Sequence, residues 1–215
     1  MASSQSHTTG GMLPALFEHA LKDIYYAEKQ IHKTLPTMIK AARDDGLKTL
    51  LQKHRDETAD QITKLEDVFE LLGKRPKAEK CEAINGILEE GSGILDEFGD
   101  TPAGDAAIIF SCQAVEHYEI TRYGSMEAWA RVAGMKEIAA IIDGILQQEK
   151  SADQKLSKIA VARINHAAEG GMGASDRDED GAPHSGTRSS NDSVPGGSQR
   201  DGAQAKQPMQ SAAKK

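Results

Sequence analysis

The chain of 215 residues predicts an all-α protein: a four-helix bundle of two antiparallel hairpins joined by a long crossover. Three observations carry the prediction. From about residue 13 to residue 166, apolar side chains recur at the three- and four-residue spacing of amphipathic helices. Two of the links between these helices are very short and contain glycine, which forces antiparallel neighbours. A third link, 74–101, is long enough to run the length of the bundle, so the helices on either side of it can lie parallel. Two hairpins with one long crossover is the ferritin-like arrangement.

In chain order, residues 1–12 read as a polar, disordered leader with no apolar signal core. Pro14 fits the first turn of a helix. That helix carries Leu16, Phe17, Ala20, Ile24, Ile31, Leu35, Met38 and Ala42 on one face. Pro36 inside it predicts a kink or a local loss of hydrogen bonds. Asp44-Asp45-Gly46 predicts its end, with the glycine left-handed. The second helix is expected from Leu47 to Leu72, stopped by Gly73 with Pro76 beyond. In 74–101, Gly86, Gly91 and Gly93 predict one or two short, interrupted helices. Thr101-Pro102 signals the start of a third helix over 103–132. Gly134 breaks the chain before a fourth over 135–166. Residues 167–215 are rich in Gly, Ser and Asp without period and read as a disordered, solubilising tail.

Bulk properties narrow the function. A formal net charge of -7 argues against a nucleic-acid surface. No apolar run approaches the roughly 18–20 residues of a membrane span. Cys81 and Cys112 form no C-x-x-C pair and suit a reducing cytosol, so a cytoplasmic location is expected.

Polar residues interrupt the core-facing stripes. In the second helix the stripe from Leu47, Leu50 and Leu51 to Leu65 and Val68 passes through His54, Glu57 or Thr58, and Gln61. Glu28, Glu57, Glu116 and Glu149 each fall near the midpoint of their own helix, on its apolar side. Midpoints of an antiparallel bundle share one depth, so the four carboxylates converge in a dry core. Four uncompensated charges there are untenable, and divalent cations resolve the difficulty. His54, Glu119 and Asp153 share helical faces with the four at offsets of three or four. The predicted metal set is therefore Glu28, His54, Glu57, Glu116, Glu119, Glu149 and Asp153. Carboxylate oxygens with an imidazole suit iron, with manganese as the alternative and zinc as a common substitute. Tyr25, Tyr118 and Tyr123 are expected to pack with a hydroxyl reaching a neighbour. His117, Arg122 and Lys150 are expected at the surface.

The segments DIYYAEKQI, HRDETADQITKLE, VEHYEITRYG and EKSADQKL, in that order, resemble the YciF family of bacterial stress-associated ferritin-like proteins. The likeness covers about Leu13 to Asn165. The wider relatives are rubrerythrins, bacterioferritins and manganese catalases. What the resemblance implies is a dimetal scaffold, a homodimer and a cytoplasmic protein. Glu28, Glu57 and Glu149 match carboxylates of the first, second and fourth helices, and Glu116 with Glu119 matches an E-x-x-E of the third. Where the ferritin-like pattern has Glu-x-x-His on two helices, Asp60 and Ala152 stand at the histidine positions, and Asp153 is displaced by one. The expected function is a stress protein with a dinuclear, iron-first centre, its metals about 3.5–4 Å apart, reacting with dioxygen or peroxide in the manner of an oxidase, peroxidase or catalase. Without a cysteine-rich electron-transfer module, turnover would draw on an external electron donor. The rival expectation is a non-enzymatic helical scaffold whose polar layer is a hydrogen-bonded network fixing bundle register.

Overall fold

The computed structural model describes residues 12–170, and every regular element among them is helical. Residues 1–11 and 171–215, which hold most of the expected leader and tail, lie outside the described residues. Helix α1 spans Leu13–Ala41, α2 Asp45–Leu71, α3 Glu82–Phe98, α4 Gly104–Val132 and α5 Lys136–Ile159. A π-helical turn, Ala160–Ile164, and a short α6, Asn165–Ala168, prolong α5 past the expected end at residue 166.

Several local expectations change. α1 continues through Pro36, whose missing donor lies on the exposed side. Leu16, expected in its core stripe, is exposed. Gly46 is not left-handed but sits in the first turn of α2. Asp44 caps that helix, its Oδ1 accepting from the Leu47 N–H at 2.8 Å. Gly46 is small for a reason of space: a Cβ there would run into the Arg163 guanidinium and lie 3.2 Å from Ile159 Cδ1. The crossover holds one helix, as one of the two expected numbers had it, and that helix runs uninterrupted through Gly86, Gly91 and Gly93. Cys81 Sγ caps α3, accepting from the Ile84 N–H at 3.5 Å. Gly91 lies where α3 approaches α4, so that a Cβ would stand 3.2 Å from that of Ser111. Gly73 and Gly134 do take positive φ, 66° and 75°, and close α2 and α4 as predicted.

Cross-links at one end of the bundle fix the helix directions. The Arg43 and Asp44 backbone N–H groups donate to the two Asp105 carboxylate oxygens at 2.8 and 2.9 Å. The Arg43 guanidinium donates to the carbonyls of Thr101 and Gly99. Arg163 donates from Nε and Nη2 to Asp44 at 2.8 and 2.6 Å. The end of α1, the starts of α2 and α4 and the extension of α5 therefore meet. α1 and α2 are antiparallel, as are α4 and α5, while α2 and α4 run parallel, as the long crossover requires. α1 packs on α2 and α4, α5 on α4 and α2, and α3 covers α1 and α4. Phe17, Leu21, Ile24, Leu47, Leu51, Leu65, Phe69, Ile108, Met126 and Ile142 are essentially inaccessible and form the apolar core.

Candidate metal centre

The apolar core is interrupted at one level. Glu28 from α1, His54 from α2, Glu116 and Glu119 from α4 and Glu149 from α5 lie roughly ten to fifteen residues from the cross-linked end, or roughly 15–22 Å along the helices. All five are buried, with Glu28, Glu119 and Glu149 at 0 % exposure. Single ligand atoms of His54, Glu116, Glu119 and Glu149 lie within 4.8 Å of one another. His54 Nε2 stands 3.5 Å from Glu116 Oε1. Glu28 borders the group through Glu119 and Tyr123, whose hydroxyl donates to Glu28 Oε1. Gln61 Nε2 donates to Glu149 Oε1.

These bonds leave the cluster undersupplied. Glu28 Oε2, Gln61 Oε1, Glu116 Oε2, Glu149 Oε2 and both Glu119 oxygens are buried without a donor. Orphaned buried oxygens at this density are rare in native proteins and mark a missing partner, whether proton, water or cation. Burial first, then the Glu149 charge, pushes the Glu28 carboxyl up to about 8, against the opposing hydrogen bond from Tyr123. Burial and the Glu149 charge raise Glu116 well above the carboxylate range. Burial and the Glu28 charge do the same to Glu119. Burial lowers the His54 pKa, keeping the imidazole neutral with one ring nitrogen free to donate a lone pair. Glutamate oxygens, an amide oxygen and a neutral imidazole form a hard donor set, which fits iron or manganese.

Of the residues expected from sequence, the fold brings together Glu28, His54, Glu116, Glu119 and Glu149. It sets Glu57 aside. The inward positions of α2 are His54, Thr58 and Gln61, while the Glu57 side chain is 21 % exposed and paired with Lys53. Asp153 lies at the edge, 20 % exposed, accepting from Gln113 Nε2 at 2.8 Å with His117 Nε2 at 3.4 Å. His117 is at the surface as expected. Tyr25 donates to Glu66 at 2.6 Å, and Tyr118 donates to Asp23 at 3.1 Å, as hydroxyls reaching neighbours. Gln61 was not singled out as a site residue. Its position on the stripe between His54 and Leu65 was the available signal.

Five long helices around a buried cluster of four glutamates and one histidine define an all-α bundle with a candidate metal centre at its heart. Residues 12–169 match the model of the domain of unknown function DUF892, and the chain belongs to that family, which is the YciF-like family. It is 34 % identical over 155 residues to protein YciF of Escherichia coli (strain K12), covering 72 % of this chain and 93 % of that protein. Among solved structures it resembles the E. coli stress protein YciF, with TM-score 0.68, 32 % identity and coverage of 71 % and 97 % of the two chains. It also resembles YcfI of Rhodopseudomonas palustris, with TM-score 0.66, 42 % identity and coverage of 71 % and 96 %. No helix among the described residues is long and apolar enough to cross a membrane.

Proposed function

We propose that the protein is a stress-associated, ferritin-like metal protein whose buried cluster holds a dinuclear centre, iron first and manganese as the alternative. One observation carries the reading: six donor-less buried oxygens, five from glutamates and one from Gln61, beside a neutral histidine. His54, Glu116, Glu119, Glu149 and Glu28 would hold the metal, which when bound would exchange electrons with dioxygen or peroxide. The chain's own residues orient and insulate it. Gln61 fixes one oxygen of Glu149 and Tyr123 one of Glu28, while Leu51, Ile31 and Ile142 keep bulk water out. The stress role follows from likeness to the E. coli stress protein. Action as a cytoplasmic homodimer with an external electron donor completes the reading.

Elemental analysis of aerobically purified protein tests it. Wild type retains iron or manganese, Glu119→Ala loses it, and Glu57→Ala keeps most of it because Glu57 is tied to Lys53. Equal metal in wild type and Glu119→Ala would end the reading. The second reading, a register-fixing polar network without metal, is favoured by the Gln61–Glu149 and Tyr123–Glu28 bonds. Thermal unfolding separates the two, because a ligand of the native state must raise its stability.

A further inference from the structure

Two cavities reach the His54–Glu116 edge of the cluster, one beside α3 and one between α2 and α5. The first, about 30 Å³, lies between α1, α3 and α4. Ile31, Leu35 and Met38 of α1, Ile87 and Leu88 of α3 and Val115 of α4 wall it. The second, about 20 Å³, lies between α2 and α5, and Lys53, Glu57 and Lys155 line it along with leucines.

The polar residues in the first cavity are turned away or silenced. Thr34 spends its hydroxyl on the Gln30 carbonyl at 2.9 Å, and Ser111 on the Ala107 carbonyl at 3.0 Å. Cys112 is buried and, as a free thiol, behaves as a small, weakly polar group. What remains is a hydrocarbon wall with His54 and Glu116 at its inner end. The volume admits one or two water-sized bodies, yet a water needs two to four polar partners, and an apolar cavity of this kind stays dry. Half-buried Thr34, Ile87 and Leu88 lead inward to buried Leu35, Val115 and Glu116.

We infer that this cavity takes an uncharged diatomic gas of dioxygen's class and delivers it to the His54–Glu116 edge, a role that rests on the metal reading above. The crossover helix is then part of the site: α3 supplies none of the clustered side chains but supplies one wall of the gas cavity. Charged or strongly hydrated species find no partner there; the second cavity, though its open wall is apolar as well, carries the charged side chains of Lys53, Glu57 and Lys155 in its lining.

Xenon tests the cavity on the metal-free full chain. Crystals under xenon pressure should show one atom between Leu35, Leu88 and Val115. Leu88→Phe, which fills the space from α3 without touching the cluster, should weaken that site by about tenfold or more. Val115→Ile serves the same purpose if Leu88→Phe does not fold. Fe(II)-loaded anaerobic protein is then mixed with dioxygen or with hydrogen peroxide, and oxidation is followed by absorbance. The filled variant should react about tenfold more slowly with dioxygen and within about twofold of wild type with peroxide. Ordered water in place of xenon would overturn the inference, as would equal rates with dioxygen or equal slowing with both oxidants. If wild type takes up no iron, the metal reading fails alone and the xenon measurement decides the cavity.

Discussion

Tyr123 donates its buried hydroxyl hydrogen to Glu28, reaching from α4 to α1 inside the bundle. Burial and the Glu28 charge raise the phenol well above its ordinary value, so it remains a donor at every physiological pH. Removing it in Tyr123→Phe strips a buried carboxylate of a partner. Urea unfolding of the metal-free variant should show a loss of about 1–3 kcal/mol. The Glu28 titration, followed by carboxyl NMR, should move upward from about 8, because this bond opposes the rise.

The metal-free protein should lose stability as the solution becomes alkaline. Glu28 titrates at about 8 when folded against 4.5 as a free carboxyl, and Glu116 and Glu119 shift in the same direction. The folded state therefore binds more protons across this interval, so its stability is greatest below the unfolded value and falls as pH rises through the folded one. His54 acts oppositely, its folded pKa lying below 6.5, so the clean window is above about pH 7. The melting temperature of metal-free protein should fall between about pH 7 and pH 9. Metal-loaded protein should show a flatter profile.

Glu119 has no donor on either oxygen. Replacing it by a side chain of similar volume in Glu119→Met should stabilise the metal-free protein by about 1–3 kcal/mol, since the penalty of an unpaired buried acid disappears. The same variant should lose the rise in melting temperature on adding Fe(II) or Mn(II). A variant less stable than wild type without metal would show that Glu119 already has its partner.

At the cross-linked end, Arg163→Ala should cost about 0.5–1 kcal/mol, a modest figure because the pair is partly exposed. The Arg163 hydrogen bond holds the Asp44 carboxyl below 3.8. Its contribution is therefore present above that value and lost as pH falls through the lower, folded one. Gly46→Ala should destabilise wild type by displacing the guanidinium, and should do so less in the Arg163→Ala background. A double-mutant cycle by chemical unfolding measures the difference.

The bundle was legible because its signals are local and redundant. Stripes such as Ile24–Ile31–Leu35 and stops such as Gly73 and Gly134 each point to one structure. The centre was legible to within one helical position. A period of 3.6 lets the stripe continue from His54 through either Glu57 or Thr58, and the fold buries Thr58 and leaves Glu57 partly exposed beside Lys53. Gly46 misled for a different reason. Its smallness answers to Arg163, which is 117 residues away in sequence and close only after folding. The cavity behind α3 had no sequence signature, because it depends on where Thr34 and Ser111 aim their hydroxyls.

The π-helical turn at Ala160–Ile164 divides the last helix by task. Glu149 stands before the widened turn and Arg163 within it, so one end can be re-aimed while the other keeps its phase. Excising a single residue there would close the widened turn to a regular α-turn and leave Glu149 facing Gln61. A change of length beyond Ile159 therefore leaves the Glu149 register alone and falls instead on Arg163 and on Ile164, which is buried in the core.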